Sequence, residues 1–264
     1  MHFPGKDEMS NLPSLSIVTV CKNAAATIAM TIDSVLSQQV GGVEYIVIDG
    51  SSTDATLTVI RSYGDSIDKF TSEPDDGIAD AFNKGIAMAT GDIVGIINAD
   101  DFLLPGALRR VCDYFAVHPD VEVLHGDVML YQGNRLIKRV RPSGRWWYPW
   151  RLVLFNHPAT FVRRRVYEQY GFFDTSYEIA MDVEIFLRWL RERVKVVYVP
   201  DSLVSMQAGG LSGRRAFHGY REVKRALLAH KFPKFLADIQ YVARFGVQFV
   251  VSAQEKLRTL KRGT

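Results

Sequence analysis

Three side chains that could grip a cation stand together in "GDIVGIINADDFLLPGAL", residues 91–108: Asn98, Asp100 and Asp101. Adjacent carboxylates repel each other, and oxygen ligands of this kind suit a hard divalent ion, Mg²⁺ or Mn²⁺. Mg²⁺ is usually held by one or two carboxylates and fills its shell with water and substrate phosphate, so a site this sparse implies a diphosphate ligand. The plainer reading is that the pair caps the helix that follows. Asp49, closing "VEYIVID", accepts hydrogen bonds from a nucleobase or ribose, or else caps a turn. Asn23 in "VCKNA" carries the same two readings. Asp182 in "IAMDVEIFLR", ahead of an amphipathic helix, reads by itself as an N-cap.

The elements around these residues must position them. "SLSIVTVCKN" reads as a buried strand ending at Asn23, the N-cap of a helix over "AAATIAMTIDSVLSQQ" that Gly41 and Gly42 stop. "VEYIVIDG" is a second strand. Ser51, Ser52, Thr53 and Asp54 cap the helix after it, which closes on Gly64. "FTSEPDDG" is a short strand and loop, "IADAFNKGIAMATG" a third helix and "DIVGIINADD" a fourth strand. Pro105 starts the next helix at its first turn. This alternation predicts an α/β fold, a mostly parallel central sheet flanked by helices. Ligands of such sheets bind outside the carboxyl ends of the strands. Those ends carry Cys21, Lys22 and Asn23; Asp49, Ser51 and Ser52; Glu73, Asp75 and Asp76; and Asn98, Asp100 and Asp101. An acidic rim of this kind calls for a cation.

The texture changes after residue 104. "VEVLHGDVMLY" and "RLIKRVRPS" read as antiparallel strands, "RRRVYEQYGFFDTSY" and "MDVEIFLRWLRERV" each contain a helix, and "KVVYVP" is a strand. A donor half (about 14–104) and an acceptor half (105–213) should share one sheet within a catalytic domain spanning 1–213. "GRWWYPWR", residues 144–151, suits a core strand or turn, or else sugar stacking or a membrane interface. "GGLSGRR", residues 209–215, either orders over a diphosphate through its arginines or is a flexible connection.

The chain has 264 residues, 47% hydrophobic and 23% charged, ordinary for a globular protein. Its net charge of +3 is unevenly spread. Residues 214–264 hold twelve Lys and Arg against three Asp and Glu, which leaves residues 1–213 at about −6. Apolar residues recur at helical spacing from Phe235 through Ile239, Val242, Phe249, Val250, Leu257 and Leu260. This basic helical extension (214–264) either contacts an anionic membrane or packs on the catalytic domain or a second subunit. Two cysteines without metal spacing suggest a reducing compartment. No signal peptide is expected, and no apolar run is long enough to span a membrane.

"SIVTVCKNA", "EYIVIDGSSTDAT", "SEPDDGIADAFNKGIAMATGDIVGIINADD" and "FDTSYEIAMDVEIFLR" resemble, in order and spacing over about residues 14–208, glycosyltransferase family 2 of the GT-A fold. The likeness is to bacterial enzymes of surface-polysaccharide synthesis. It implies a Rossmann-like nucleotide-diphospho-sugar transferase with added C-terminal helices. Thr19, Asn23 and Asp49 would line the nucleotide pocket. Asp76, Asp80, Asn83 and Lys84 fall in the stretch that contacts nucleotide and diphosphate, although many relatives carry Lys at the place of Asp76. Asn98 to Asp101 would be the DXD-type motif, with Asp100 toward the donor and Asp101 as the Mn²⁺ or Mg²⁺ ligand. Asp182 matches the general base, and His157 in "NHPATF" a contact to acceptor or diphosphate.

The resemblance implies an inverting transfer of sugar from a UDP- or GDP-sugar to a saccharide or a polyprenyl-diphosphate-linked saccharide. The setting would be the cytoplasm or the inner face of the cell membrane, with a homo-oligomer open and no nucleic acid. Two rivals stand beside it. A sugar nucleotidyltransferase would carry a Gly-rich loop after its first strand, where this chain has "VCKNAAAT". A non-catalytic nucleotide-sugar binding or assembly subunit would bind without turnover.

Overall fold

The computed structural model describes residues 12–38, 40–133, 135–142, 155–209 and 215–246. The aromatic run 144–151, residues 210–214 of the Gly/Arg segment and the apolar positions from Phe249 onward lie outside them. Strands β1 (Leu15–Cys21), β2 (Val43–Asp49), β3 (Lys69–Ser72) and β4 (Ile93–Asn98) alternate with helices α1 (Ile28–Leu36), α2 (Thr56–Arg61) and α3 (Ile78–Met88). Then come β5 (Phe102–Leu103), α4 (Ala107–Val117), β6 (Val123–Gln132), β7 (Arg135–Val140), β8 (Thr160–Arg163), α5 (Arg164–Tyr170), α6 (Met181–Arg191), β9 (Val196–Gln207) and α7 (Ala216–Ala229). Residues 234–246 are also helical.

All nine strands belong to one sheet, in the order β3-β2-β1-β4-β8-β6-β9-β5, with β7 paired to β6. The first four run parallel. β8 enters antiparallel to both β4 and β6, and β6 pairs parallel with β9. So β6 and β9 point the same way as β4, and strands from before and after residue 104 lie in one sheet.

Burial explains the apolar runs. Every residue of β1 is buried, with Leu15, Ile17 and Cys21 in one cluster and Val18 and Val20 in the other. A strand covered on both faces needs apolar residues on both. The first cluster takes Ile28 and Ile32 of α1, Ile60 of α2 and Val111 of α4. The second takes Phe82 of α3, Val166 of α5, Ile185 of α6 and Val223 of α7. α7 is therefore part of the core, and Ala237 from the next helical stretch joins it.

Register aligns the rim. Cys21 pairs with Asp49, Asp49 with Ser72, and Val20 with Asn98. Two helix starts differ from expectation. Asn23 takes φ 52° and α1 begins only at Ile28, because the Asn23 amide serves the neighbouring loop instead of capping. Pro105 lies ahead of α4, whose N-cap is Gly106 at φ 70°, a left-handed conformation that glycine adopts without steric cost. Of the four residues expected to cap α2, Asp54 bonds its first turn, through the Thr56 amide at 2.9 Å.

The segment between Asp101 and Leu104 is held from α1 and the residues just after it. Thr31 Oγ1 donates to the Asp101 carbonyl at 2.7 Å, the Leu103 amide donates to Ser34 Oγ at 3.0 Å, and Gln38 Nε2 donates to the Leu104 carbonyl at 3.2 Å. All three side chains are buried, where an unpaired backbone group is costly. Thr31→Val keeps the shape and removes the donor. It should lower stability by about 1–3 kcal/mol, read as a shifted urea midpoint at unchanged slope.

Candidate active site

Asn98 ends β4, and a tight turn follows in which the Asp101 amide donates to the Asn98 carbonyl at 3.0 Å. The Asp101 side chain is 2% exposed. Its Oδ2 accepts from Asn98 Nδ2 at 3.1 Å, and the amide of Gln207, at the end of β9, also donates to its carboxylate. Asp101 Oδ1 and Asn98 Oδ1 are buried and find no partner among the described residues. Burial, then the charge of Asp100, pushes the Asp101 carboxyl up to about 7. Two orphaned oxygens on hydrogen-bonded side chains fit a hard cation, which would satisfy both. Among the described residues no cluster of three or more His, Cys, Asp or Glu could hold a metal. An ion here would therefore complete its shell from water or a phosphate-bearing ligand.

The neighbouring strand ends are stitched together by short polar side chains. Asp49 is fully buried. It accepts from the Ser52 amide at 2.9 Å, from Ser72 Oγ at 2.7 Å, from Ser52 Oγ, and from Cys21 Sγ at 3.5 Å. The Asn23 amide donates to Ser52 Oγ and its Oδ1 accepts from the Thr53 amide, both at 2.8 Å. Loops after β1 and β2 thus form one unit. Thr19 lies deeper, fully buried within β1, accepting from Tyr45 Oη at 3.0 Å.

The next loop is organised from α3. Lys84 Nζ reaches the Pro74 carbonyl at 2.7 Å, Glu73 at 3.0 Å and Asp80 at 3.1 Å. Asp80 Oδ2 accepts from the Asp76 amide at 3.2 Å, and Asp76 itself is exposed. Asn83 turns elsewhere. Its Nδ2 donates to the Phe173 carbonyl and its Oδ1 accepts from the Phe173 amide, both at 2.9 Å. The whole amide is engaged with the chain, locking α3 to the segment that leads to α6.

His157 sits in a 3₁₀ turn just before β8. Its ring stacks on Phe82 of α3 at 4.9 Å and lies 5.8 Å from Phe173 and 6.5 Å from Phe186 of α6. It thus links α3 to α6 and the segment before it. Burial lowers it to about 4, so the imidazole is neutral near pH 7. Asp182 stands in the first turn of α6, partly exposed, with Oδ1 accepting from the Val183 amide at 2.7 Å. Burial pushes its carboxyl up to about 6, against backbone amides and the charge of Arg244. A carboxylate tuned toward neutrality, at the mouth of a helix, can accept a proton from a hydroxyl.

Arg244 is a residue that the sequence did not single out. Its Nε is buried with no partner among the described residues, and its guanidinium lies 5.8 Å from the Tyr220 ring. Local sequence offers no signal for it, since it falls in an ordinary basic helix. Ser72 was also missed, although its place at a strand end was a usable clue. Two surface clefts, one lined by Leu12, Ser14, Gly42 and Arg109 and one by Asp92, Arg163, Arg165 and Glu168, open at the amino ends of β1 and β4, away from the rim.

The chain resembles known proteins in sequence and in fold. The sequence model "Glycosyl transferase family 2" matches residues 16–188. A PGL/p-HBAD biosynthesis glycosyltransferase of Mycobacterium bovis is 28% identical over 212 residues, covering 76% of this chain and 79% of its own. Among solved structures, residues 1–349 of Staphylococcus aureus TarS with UDP superpose with a TM-score of 0.66 at 16% identity, over 90% of this chain and 72% of that one. Another S. aureus TarS structure, with a TM-score of 0.65, is covered over 43% of its chain. The mannosyltransferase PcManGT of Pyrobaculum calidifontis, with GDP-Man and Mn²⁺, gives 0.64 at 19% identity, over 96% and 81%. At these identities the structures speak for the fold, which is GT-A. A family match over well more than half of the chain speaks for descent, and the chain belongs to glycosyl transferase family 2.

Proposed function

We propose that the protein is a metal-dependent, inverting glycosyltransferase. It moves a sugar from a nucleotide-sugar, UDP- or GDP-linked, to a saccharide hydroxyl, carried on a polyprenyl diphosphate, in surface-polysaccharide synthesis. The observation that carries the reading is the pair of orphaned oxygens on Asn98 and Asp101 at the carboxyl end of β4. The bound UDP and GDP-Man of the TarS and PcManGT structures, and the Mn²⁺ of the latter, support a nucleotide-sugar and a divalent ion.

In this reading Asp49, with Ser52 and Ser72, shapes the nucleotide side, beside Asn23 and above the buried Thr19. Asp80 and Lys84 brace the loop that borders the diphosphate, Asn83 fixes that loop's helix to the acceptor half, and Asp100 faces the donor. Asp101 would hold the cation, which supplies Lewis-acid charge to the departing diphosphate. Asp182 takes the proton of the acceptor hydroxyl as its oxygen bonds to the anomeric carbon. The bond from that carbon to the diphosphate breaks on the opposite face, its electrons leaving on oxygen, so configuration inverts. His157, neutral, lines the acceptor side.

The basic extension then faces a membrane. Phe235, Ile239 and Val242 recur on one helical face at 65%, 48% and 66% exposure, too much apolar surface for free solvent. Among the described residues no helix is long and apolar enough to cross a membrane, so the contact would be peripheral.

Asp182→Asn should abolish transfer and spare nucleotide binding, whereas Asp101→Ala should lose both transfer and the Mn²⁺-dependent part of thermal stabilisation by UDP or GDP. Full activity in both variants would end the assignment. With Asp182 near 6, kcat should fall as pH drops below about 6 and level off above it, since only the charged carboxylate accepts the proton. A kcat–pH profile without that acidic limb would remove Asp182 from the base role. Sedimentation with vesicles containing phosphatidylglycerol should be strong for the wild-type chain and weak for Phe235→Ser/Val242→Ser. Equal sedimentation would reject the peripheral contact.

A further inference from the structure

Residues 171–180, between α5 and α6, carry no regular secondary structure yet present Asp182. Their backbone groups are held by side chains from three helices. Arg188 of α6 donates to the Tyr170 and Phe172 carbonyls at 3.1 and 2.8 Å. Asn83 of α3 takes both polar groups of Phe173. Arg225 of α7 donates to the Ser176 carbonyl at 2.8 Å and lies 3.6 Å over the Tyr177 ring. The last three residues before the helix fall to one side chain. The carboxylate of Glu222, 5% exposed on α7, accepts from the successive amides of Glu178, Ile179 and Ala180 at 2.9, 2.8 and 2.9 Å.

We infer that Glu222 is a positioning residue for Asp182, setting from the C-terminal helix the backbone that aims the base. This rests on the reading of Asp182 given above. Three charge-assisted bonds to consecutive amides fix their peptide planes, and Asp182 follows Ala180 by two residues. An anion there also suits the positive end of α6. Close approach is built in: a Cβ on Gly219, one turn before Glu222, would lie 2.9 Å from Ile179 Cγ2, so only glycine lets α7 sit this near. His218 approaches the same carboxylate at 3.2 Å from the solvent side and leaves the three amides untouched. The basic extension is thus a working wall of the active site as well as a surface.

The test is Glu222→Gln, which is isosteric but neutral and offers its amide hydrogens where an acceptor is needed. Donor hydrolysis, with water standing in for the acceptor hydroxyl, serves as the rate assay. The expected result is a kcat about 10- to 100-fold lower with donor KM and UDP or GDP binding unchanged, the scale of a small misplacement of a catalytic group. Glu222→Asp, charged but shorter, should recover part of the rate and covers the case in which the glutamine variant does not fold. Wild-type kcat in Glu222→Gln beside an inactive Asp182→Asn overturns the inference and leaves the base intact. So does a parallel loss of nucleotide binding and kcat. An active Asp182→Asn removes the base itself and the inference with it.

Discussion

A carboxylate taken out of water must find charge or hydrogen bonds to replace what it lost, and the corner at Asp101 is built around that demand. The side chain is almost wholly buried, has Asp100 beside it, and keeps one oxygen without a partner among the described residues, as does Asn98. Left alone it drifts toward its protonated form. A divalent ion would resolve the same conflict by supplying charge. The surroundings make the corner rigid enough to hold that conflict: β4 delivers it, the Gln207 amide closes it from β9, and Thr31, Ser34 and Gln38 secure the backbone behind it. Relaxation would let Asp101 turn to solvent and the conflict would vanish.

The same logic runs through the rim. Beyond backbone bonds such as those of the Gly50 and Glu73 amides to the Cys21 and Asp49 carbonyls, side chains take up many of its loops' amides and carbonyls. Asp49, Ser52 and Asn23 satisfy one another across two strand ends. Lys84 and Asp80 do this for the loop after β3. Arg188, Asn83, Arg225 and Glu222 do it for the approach to Asp182. Polar residues that resemble ligand contacts in a bare sequence are therefore often framework. Asn83 is the clear case, with both ends of its amide bonded to Phe173. A side chain so occupied shapes a pocket by holding its wall.

His157 and its aromatic neighbours join these two sets of loops. The ring stacks on Phe82 of α3 and has Phe173 and Phe186 of α6 as aromatic neighbours. A neutral imidazole in that seat is compatible with packing on both sides, where a charged one would pull water in. Antiparallel entry of β8 makes this possible, since it puts the start of the strand level with the carboxyl ends of the parallel set.

The alternation of apolar runs with capped, periodic segments was enough to read the strands and most helices, because burial on two faces leaves a mark on every residue of β1 and on most of β2 and β4. Adjacent Asp100 and Asp101 at a strand end were legible for the same local reason. The helix start at Asn23 was misplaced because its side-chain oxygen accepts across the rim from the Thr53 amide, and the one at Pro105 because Gly106 takes the N-cap place in a left-handed conformation. Tertiary structure alone decided that Thr19 sits beneath the surface, that Glu222 binds the three amides leading to α6, and that the charge of Arg244 falls on Asp182, both from a tail that reads only as basic and amphipathic. Those contacts join residues some forty or more positions apart, and hydrogen bonds across such distances leave no spacing in the sequence to read.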